Sequence, residues 1–504
     1  MGTEHSAGSL ISIVGSERYL DDPNTIARFA ASIGGNHVAP LCVVFPVSTE
    51  ELSAIIKKAS QLACHVFVIS RGKNFGYGEA QGTRPGQIII DLSRMSQVVE
   101  VNEQLAYATI QPGVSQQQLF EHLQQKNSRL QLDVTGAGLD ASIVGNILER
   151  GFGHTDYGDR FARVIRMTAV LMNGDVIRTG FGDFENANAK NTYRYGIGPM
   201  LDGLLSQSNF AIITEMTIEL MPKPEKTCMF IVSAKDESAL SALVDAIREL
   251  KLAGVVNSAV HFANKARAIG EKENRMAGFW NMSGSISGPA DMVLAKKRIV
   301  RSALKKAYGK SSIWFIDETL MKLAAFANRL FNISLYQPLK DAWDLQQGVP
   351  TDHPLRVLLN DASLQSATIR TDNYKTCFLW INAVCAADGK SAWQLYQLTA
   401  GLFKEHGYAF PVTFTAVNAR SLIMITNINY ARTDDEIAKA YAFSKKCHAV
   451  LVENGFLPYR AGSGLFDEMP HYSKGTKDLL ESVKKTSDPS GILAPDKYLI
   501  KNKF

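Results

Sequence analysis

Apolar positions along the chain fall into two alternating rhythms. Runs of four to eight predict strands, and positions three and four apart predict helices. PLCVVFPVS, from Pro40, reads as a strand. STEELSAIIKKASQLA reads as an amphipathic helix, with Ser48 or Thr49 as its cap and Glu51 and Leu52 in its first turn. HVFVIS (65–70) reads as a buried strand that runs into a glycine-rich loop, Arg71 to Gly78. QIIIDLS (87–93) predicts a further strand, QVVEVNEQLAYATIQPG (97–113) two strands joined by a turn, and SQQQLFEHLQQKN (115–127) a helix. RVIRMTAVLMNGDVIRTG (163–180) predicts a hairpin, with Asn173-Gly174 as a type I′ turn. A last strand ends at Met221, and Pro222 and Pro224 mark a boundary.

From about residue 225 the pattern changes. MFIVSA, ESALSALVDAIRELKLAG and SAVHF predict strand, helix, strand, and helical stretches follow. CFLWINAVCA (377–386) and ARSLIMITNINYA (419–431) predict strands, and EIAKAYAFSKKCHAVLVENG a long helix. The expected fold class is α+β in two units. The first covers 1–222 and is completed by 455–504; the second covers 223–454.

A chain of 504 residues, 46% apolar, exceeds what one core serves. The net charge of +5 is spread over short Lys/Arg clusters, so a nucleic-acid surface is not expected. Six cysteines form no CxxC pair, which argues against zinc or a disulfide framework. The N-terminus has no basic segment leading into an apolar one, and no run approaches the ~20 apolar residues of a membrane span. The cytoplasm is therefore the expected location, with no metal, nucleic-acid or membrane partner.

Two loops carry the candidate chemistry. In Ser70-Arg71-Gly72-Lys73-Asn74-Phe75-Gly76-Tyr77-Gly78, three glycines let backbone N–H groups converge on an anion, which is what a pyrophosphate needs. It is neither the G-x-G-x-x-G turn nor a Walker loop. By itself such a turn also suits a plain hairpin. The second loop holds Gly136, Gly138, Gly145, Asn146, Gly151, Gly153 and Gly158, with Glu149, Arg150, Asp156 and Asp159 among them. Two separated anion-friendly loops suit a long ligand such as a dinucleotide.

The ordered strings ISRGKNFGYG, PGQIIIDLSRM, IQPGVSQQQL, VGNILERGFGHTDYGDR, MNGDVIRTG, YGIGPMLDGLLSQSNFAIITEMTIELMP, NGF-x-x-YR and GILAPDKY resemble the vanillyl-alcohol-oxidase and p-cresol-methylhydroxylase family. They span about 40–222 and 455–504; residues 225–450 resemble the family's cap more weakly, chiefly at VTFTAVNAR. The resemblance implies a two-part FAD-binding domain of the PCMH type and an α+β cap, or substrate, domain. It implies FAD held by residues 70–76, by Gly145, Asn146, Glu149, Arg150, Gly151 and Gly153, by Ile213 and Thr214, and by Lys497. It implies that Tyr77, Tyr459 and Arg460 bind a phenolate oxygen. Arg is a permanent cation with a fork of donors, and a Tyr hydroxyl adds a hydrogen bond, so the phenol pKa falls. Hydride then leaves the para substituent for flavin N5, giving a quinone methide.

Three departures from the family pattern bear on mechanism. Leu422 and Ile423 occupy the positions that link flavin covalently in one branch, and Arg71 to Gly78 offers neither His nor Cys, so FAD is expected to be non-covalent. Thr135 or Gly136 falls where the family carries an active-site aspartate, and Asp140 is either a substitute from the shifted loop or a solvated loop residue. His154 replaces a family tyrosine and is a candidate base, or a histidine that merely bonds its loop. The expected activity is oxidation of a para-substituted phenol or similar aromatic molecule, with O2 or another electron acceptor and a homodimer as the assembly. The alternative keeps the fold but oxidises a hydroxy acid, alcohol or amine, as in a biosynthetic tailoring step, with Arg460 on a carboxylate. A flavin-free binding protein is the third reading. Trp280, Phe315, Tyr336, Trp343, Phe378 and Trp380 are candidate pocket liners, although aromatic residues in such a unit also serve as core.

Overall fold

The computed structural model describes residues 7–269, 277–333, 336–369, 371, 374–462 and 464–498. β1 (Tyr19–Leu20), β2 (Cys42–Val44), β3 (Val66–Ile69) and β4 (Ile88–Asp91) form a sheet in the order β1-β2-β4-β3. β2, β4 and β3 run parallel. Their unbroken apolar sequences reflect burial: they share one apolar cluster with the helix Thr49–Gln61 and with Val170, Met172 and Ile212. The Ser48 side chain caps that helix by accepting from Glu51 N.

β5 (Val98–Asn102), β6 (Tyr107–Ile110), β7 (Leu130–Gln131), β8 (Val164–Val170), β9 (Val176–Arg178), β10 (Ile212–Glu219) and β11 (Met221–Pro222) follow. Five of them make an antiparallel sheet in the order β5-β6-β10-β8-β9, and β7 pairs with β11. The β8–β9 connection corrects one expectation. A type I′ turn needs positive φ at both central residues. Here only Gly174 has it (φ 86°), Leu171 N bonds Asp175 O, and the Asn173 side chain accepts from Asp175 N. The loop therefore has three residues and a bulge rather than two.

The largest sheet described has seven antiparallel strands: β12 (Lys226–Ala234), β13 (Val260–Asn264), β14 (Trp280–Gly288), β15 (Ser312–Asp317), β16 (Thr376–Ala386), β17 (Val412–Ala416) and β18 (Ser421–Ala431). Their order is β15-β12-β14-β13-β17-β18-β16. β14 and β15 were hidden from the helix-biased reading of that stretch. NMSGSISG lacks β-branched bulk, yet a Cβ at Gly284 would stand 2.8 Å from Phe230 Cζ, so the strand centre needs its small residues.

Alternation along these strands gives the sheet two chemically distinct faces. Val260, Phe262, Phe414, Leu422, Met424 and Ile428 join the core with the helices Ala239–Leu252, Gly389–Glu405 and Asp434–Glu453. His261, Thr413, Thr415, Ile425, Asn427 and Asn429 border a cavity instead.

The C-terminal segment returns to the first sheet, where Val66 N bonds Ile492 O and Ala494 N bonds Val66 O. A buried ion pair, Lys484–Asp488 at 2.7 Å, holds it: Lys484 Nζ also donates to Asn209 O and Leu493 O, and Asp488 accepts from Ile492 N and Leu493 N. All six cysteines are free and buried. Among the described residues no helix is long and apolar enough to cross a membrane.

Candidate functional site

A cavity of about 890 Å³ runs between the parallel sheet's loop ends and the polar face of the seven-stranded sheet. Its volume is that of a cofactor and substrate site, roughly 300–1,000 Å³. The loop 70–78 leaves the C-terminal end of β3, where ligands bind in parallel sheets. Gly72 and Gly76 adopt φ of 63° and 75°. The amides of Gly72, Lys73, Asn74 and Phe75 meet no protein acceptor among the described residues. Such a row of free donors is a built anion cradle. Gly145 crosses close below it: a Cβ there would lie 2.9 Å from Ser70 Oγ.

Two groups fix this loop: Glu79, which sequence reasoning did not single out, and the expected pocket liner Trp380. Glu79 accepts from Gly76 N at 2.6 Å and Ile33 N at 3.1 Å, and its burial pushes the carboxyl up to about 7. Trp380 Nε1 donates to Phe75 O at 2.8 Å. Of the aromatic residues expected in the pocket, Trp380 alone borders the cavity; Trp280, Phe315, Trp343 and Phe378 are core, and Tyr336 packs against it.

Ser70, Arg71, Gly72, Lys73, Asn74, Phe75, Gly145, Asn146, Glu149, Gly151, Ile213 and Lys497 all border the cavity. Lys497 Nζ reaches Glu149 Oε1 at 2.8 Å, and Tyr498 donates to Glu149 Oε2. Burial raises the Glu149 carboxyl, but Lys497, Tyr498 and Arg460 more than offset it and hold it low. Gly76, Arg150 and Gly153 do not border the cavity. Arg150, in a left-handed conformation (φ 53°), turns to Ser206 Oγ at 3.2 Å, and Gly153 packs on Asp133.

Tyr77, Tyr459 and Arg460 come together. The Arg460 guanidinium lies 3.7 Å from the Tyr77 ring centre and 5.4 Å from that of Tyr459. Asn382 ties the group to β16, accepting from Tyr459 N at 3.1 Å and donating to Arg460 O at 3.1 Å and to the Tyr77 hydroxyl at 3.4 Å. Burial keeps the Tyr459 hydroxyl protonated far above its usual range, partly opposed by the Arg460 cation. It is thus a donor at any working pH.

Asp140 is placed differently from expectation. Its carboxylate pairs with Arg71 and, at 3.6 Å, with Lys73, and it does not border the cavity. Two cations beside it outcompete the reacting centre for its charge. Thr135 and Gly136 do border the cavity, so no carboxylate stands where the family pattern has one.

His154 borders the cavity and faces a residue that the sequence hid, His261 on β13, at a ring separation of 4.6 Å. His261 Nδ1 meets Thr415 Oγ1 of the neighbouring strand at 3.1 Å, and its buried Nε2 has no partner among the described residues. Burial lowers His154 to about 4; burial, then His154 and Lys251, lower His261 further. Both rings are neutral near pH 7. A histidine depressed in the folded state stabilises the fold above its unfolded pKa, and that stability is lost as pH falls toward the folded value. Thermal stability is expected to drop between about pH 6.5 and 4, and His154→Gln to flatten that drop when melting temperatures are compared at pH 7 and pH 5.

Residues 40–180 match the FAD binding domain family. The chain is 28% identical to the 1'-carboxy-chondrochloren decarboxylase of Chondromyces crocatus, over 95% of this chain and 94% of that one. It is 27% identical to the 4-cresol dehydrogenase [hydroxylating] flavoprotein subunit of Pseudomonas putida, over 91% and 87%. The structure superposes on p-cresol methylhydroxylase with substrate bound at a TM-score of 0.89, with 25% identity over 100% of this chain and 99% of that one. The chain is an FAD-dependent oxidoreductase with the α+β PCMH-type fold. Over nearly its whole length it is similar to members of the p-cresol-methylhydroxylase and vanillyl-alcohol-oxidase family.

Proposed function

We propose that the protein oxidises a para-substituted phenol, bound as phenolate between Tyr77, Tyr459 and Arg460. The observation that carries this reading is the Arg460 guanidinium, whose buried Nε has no protein acceptor among the described residues, set against the two tyrosines. A permanent cation in a desolvated cradle calls for an anion, and a tyrosine hydroxyl kept protonated supplies a donor to it. The relatives named for 4-cresol and p-cresol support an aromatic substrate. Residues 1–222 with 455–504 act as the FAD-binding domain, and 223–454 as the cap that shapes the substrate side.

The free amides of 72–75 and the Arg71 and Lys73 cations suit the FAD pyrophosphate, with Gly145, Asn146, Glu149, Gly151, Ile213 and Lys497 along the rest of the cofactor. The two-electron acceptor is supplied by bound FAD, so the para-side carbon gives up hydride and leaves a quinone-methide-like product. The proton lost by a trapping water or para-side hydroxyl passes to the neutral His261–His154 pair, since Asp140 is committed to Arg71 and Lys73. Reoxidation falls to O2 or another acceptor. A screen of 4-alkylphenols against 2-hydroxy acids tests the assignment: turnover of the phenols alone supports it, and turnover of the hydroxy acids alone refutes it.

FAD is held without a covalent bond in this reading. Leu422 lies in the core cluster, and among the described residues no cysteine borders the cavity. Acid precipitation is expected to release the yellow colour to the supernatant; colour kept in the pellet overturns the point.

A further inference from the structure

Most cations on the cavity wall already have a counter-charge or an assigned ligand. Arg71 and Lys73 pair with Asp140, Lys497 with Glu149, and Arg460 sits in the phenolate cradle. Arg267 stands apart. It follows β13 in the short helix Lys265–Ile269, half-buried on the cavity wall, and pairs with no carboxylate among the described residues. Its position is rigidly built. Asn264 Oδ1 accepts from both Arg267 N (3.0 Å) and Val412 N (3.1 Å), and Asn264 Nδ2 donates to Phe410 O (2.7 Å). The guanidinium donates one N–H to Pro411 O at 2.8 Å and lies 5.6 Å from the Trp380 ring centre. Burial pulls its pKa down to about 10, which leaves it a cation near neutral pH.

Trp380 connects this cation to the cradle. Its ring stacks on Tyr77 with centres 6.4 Å apart and planes at 22°, and Arg460 lies over Tyr77. Guanidinium, indole, phenol and guanidinium thus form one series of contacts along the cavity wall. A desolvated cation without a counter-charge is costly, and a carboxylate matches its fork of donors.

We propose that Arg267 recognises a carboxylate, so that the substrate is a 4-hydroxyphenyl compound bearing a carboxylate away from its phenol oxygen. The inference rests on the phenol reading above. The test compares 4-propylphenol with 4-hydroxyphenylpropanoate on the FAD-loaded wild type, Arg267→Gln and Arg267→Lys. Arg267→Gln is expected to lower the acid-to-neutral ratio of kcat/KM by about 10–100-fold, through KM, with FAD content as in wild type. Arg267→Lys restores part of the ratio, because it restores the charge but not the fork. An unchanged ratio, or a loss of FAD in place of selectivity, overturns the proposal. If wild type oxidises the neutral phenol and shows no such ratio change, this inference fails alone. If it oxidises neither compound, the phenol reading fails with it.

Discussion

Arg460→Lys is expected to lower kcat/KM on a 4-alkylphenol by about 10²–10³-fold, the usual cost of removing a donor from a preorganised oxyanion site. Lysine keeps the charge but not the planar fork, and it loses the guanidinium's place over the Tyr77 ring. The same variant should raise the pKa of a bound, non-oxidisable phenol, read from its ultraviolet difference spectrum, because the cation that favours phenolate has been weakened. FAD content should stay close to wild type, since the anion cradle for the cofactor lies on a different loop. A variant with full activity and an unchanged phenol pKa would remove Arg460 from the site.

Gly153→Ala is expected to prevent recovery of folded, FAD-loaded protein. A Cβ at this position would stand 1.6 Å from Asp133 Oδ2. Asp133 cannot easily yield: its side chain is buried, accepts from Thr155 N and Thr155 Oγ1, and faces Arg160 at 3.4 Å. Displacing it breaks a buried charge pair, a loss of about 3–5 kcal/mol. Such a loss is a large share of a typical folding free energy of roughly 5–15 kcal/mol. The measurement is soluble yield and flavin absorbance per protein; near-normal values for both would contradict the packing described.

The sequence reading was strongest where local chemistry repeats a known solution. Glycine spacing marked the loop 70–78, while Tyr459-Arg460 stood out only through the family resemblance; the structure brings that pair to Tyr77. Asp140 was misplaced because its fate depends on Arg71 and Lys73, some seventy residues away in sequence, and spacing cannot report that pairing. His261 left no local mark. It is one polar residue on a strand, and only the register His261↔Thr415 and the approach of His154 give it a role. Its signal lay in the alternation of β13, β17 and β18, whose polar positions share the cavity face. β14 escaped because its serines and glycines reflect what packs against it rather than strand propensity. The type I′ assignment failed because Asn173 spends its side chain on Asp175 N and keeps ordinary φ.

The central claim is that this FAD enzyme takes its electrons from a phenol. The direct measurement is the visible flavin spectrum of the purified protein, recorded anaerobically before and after a 4-alkylphenol is added. Bleaching of the oxidised flavin band by the phenol, with none by a 2-hydroxy acid, is the predicted result. A flavin band that stays oxidised with phenols and bleaches with a hydroxy acid or amine would keep the fold and contradict the claim.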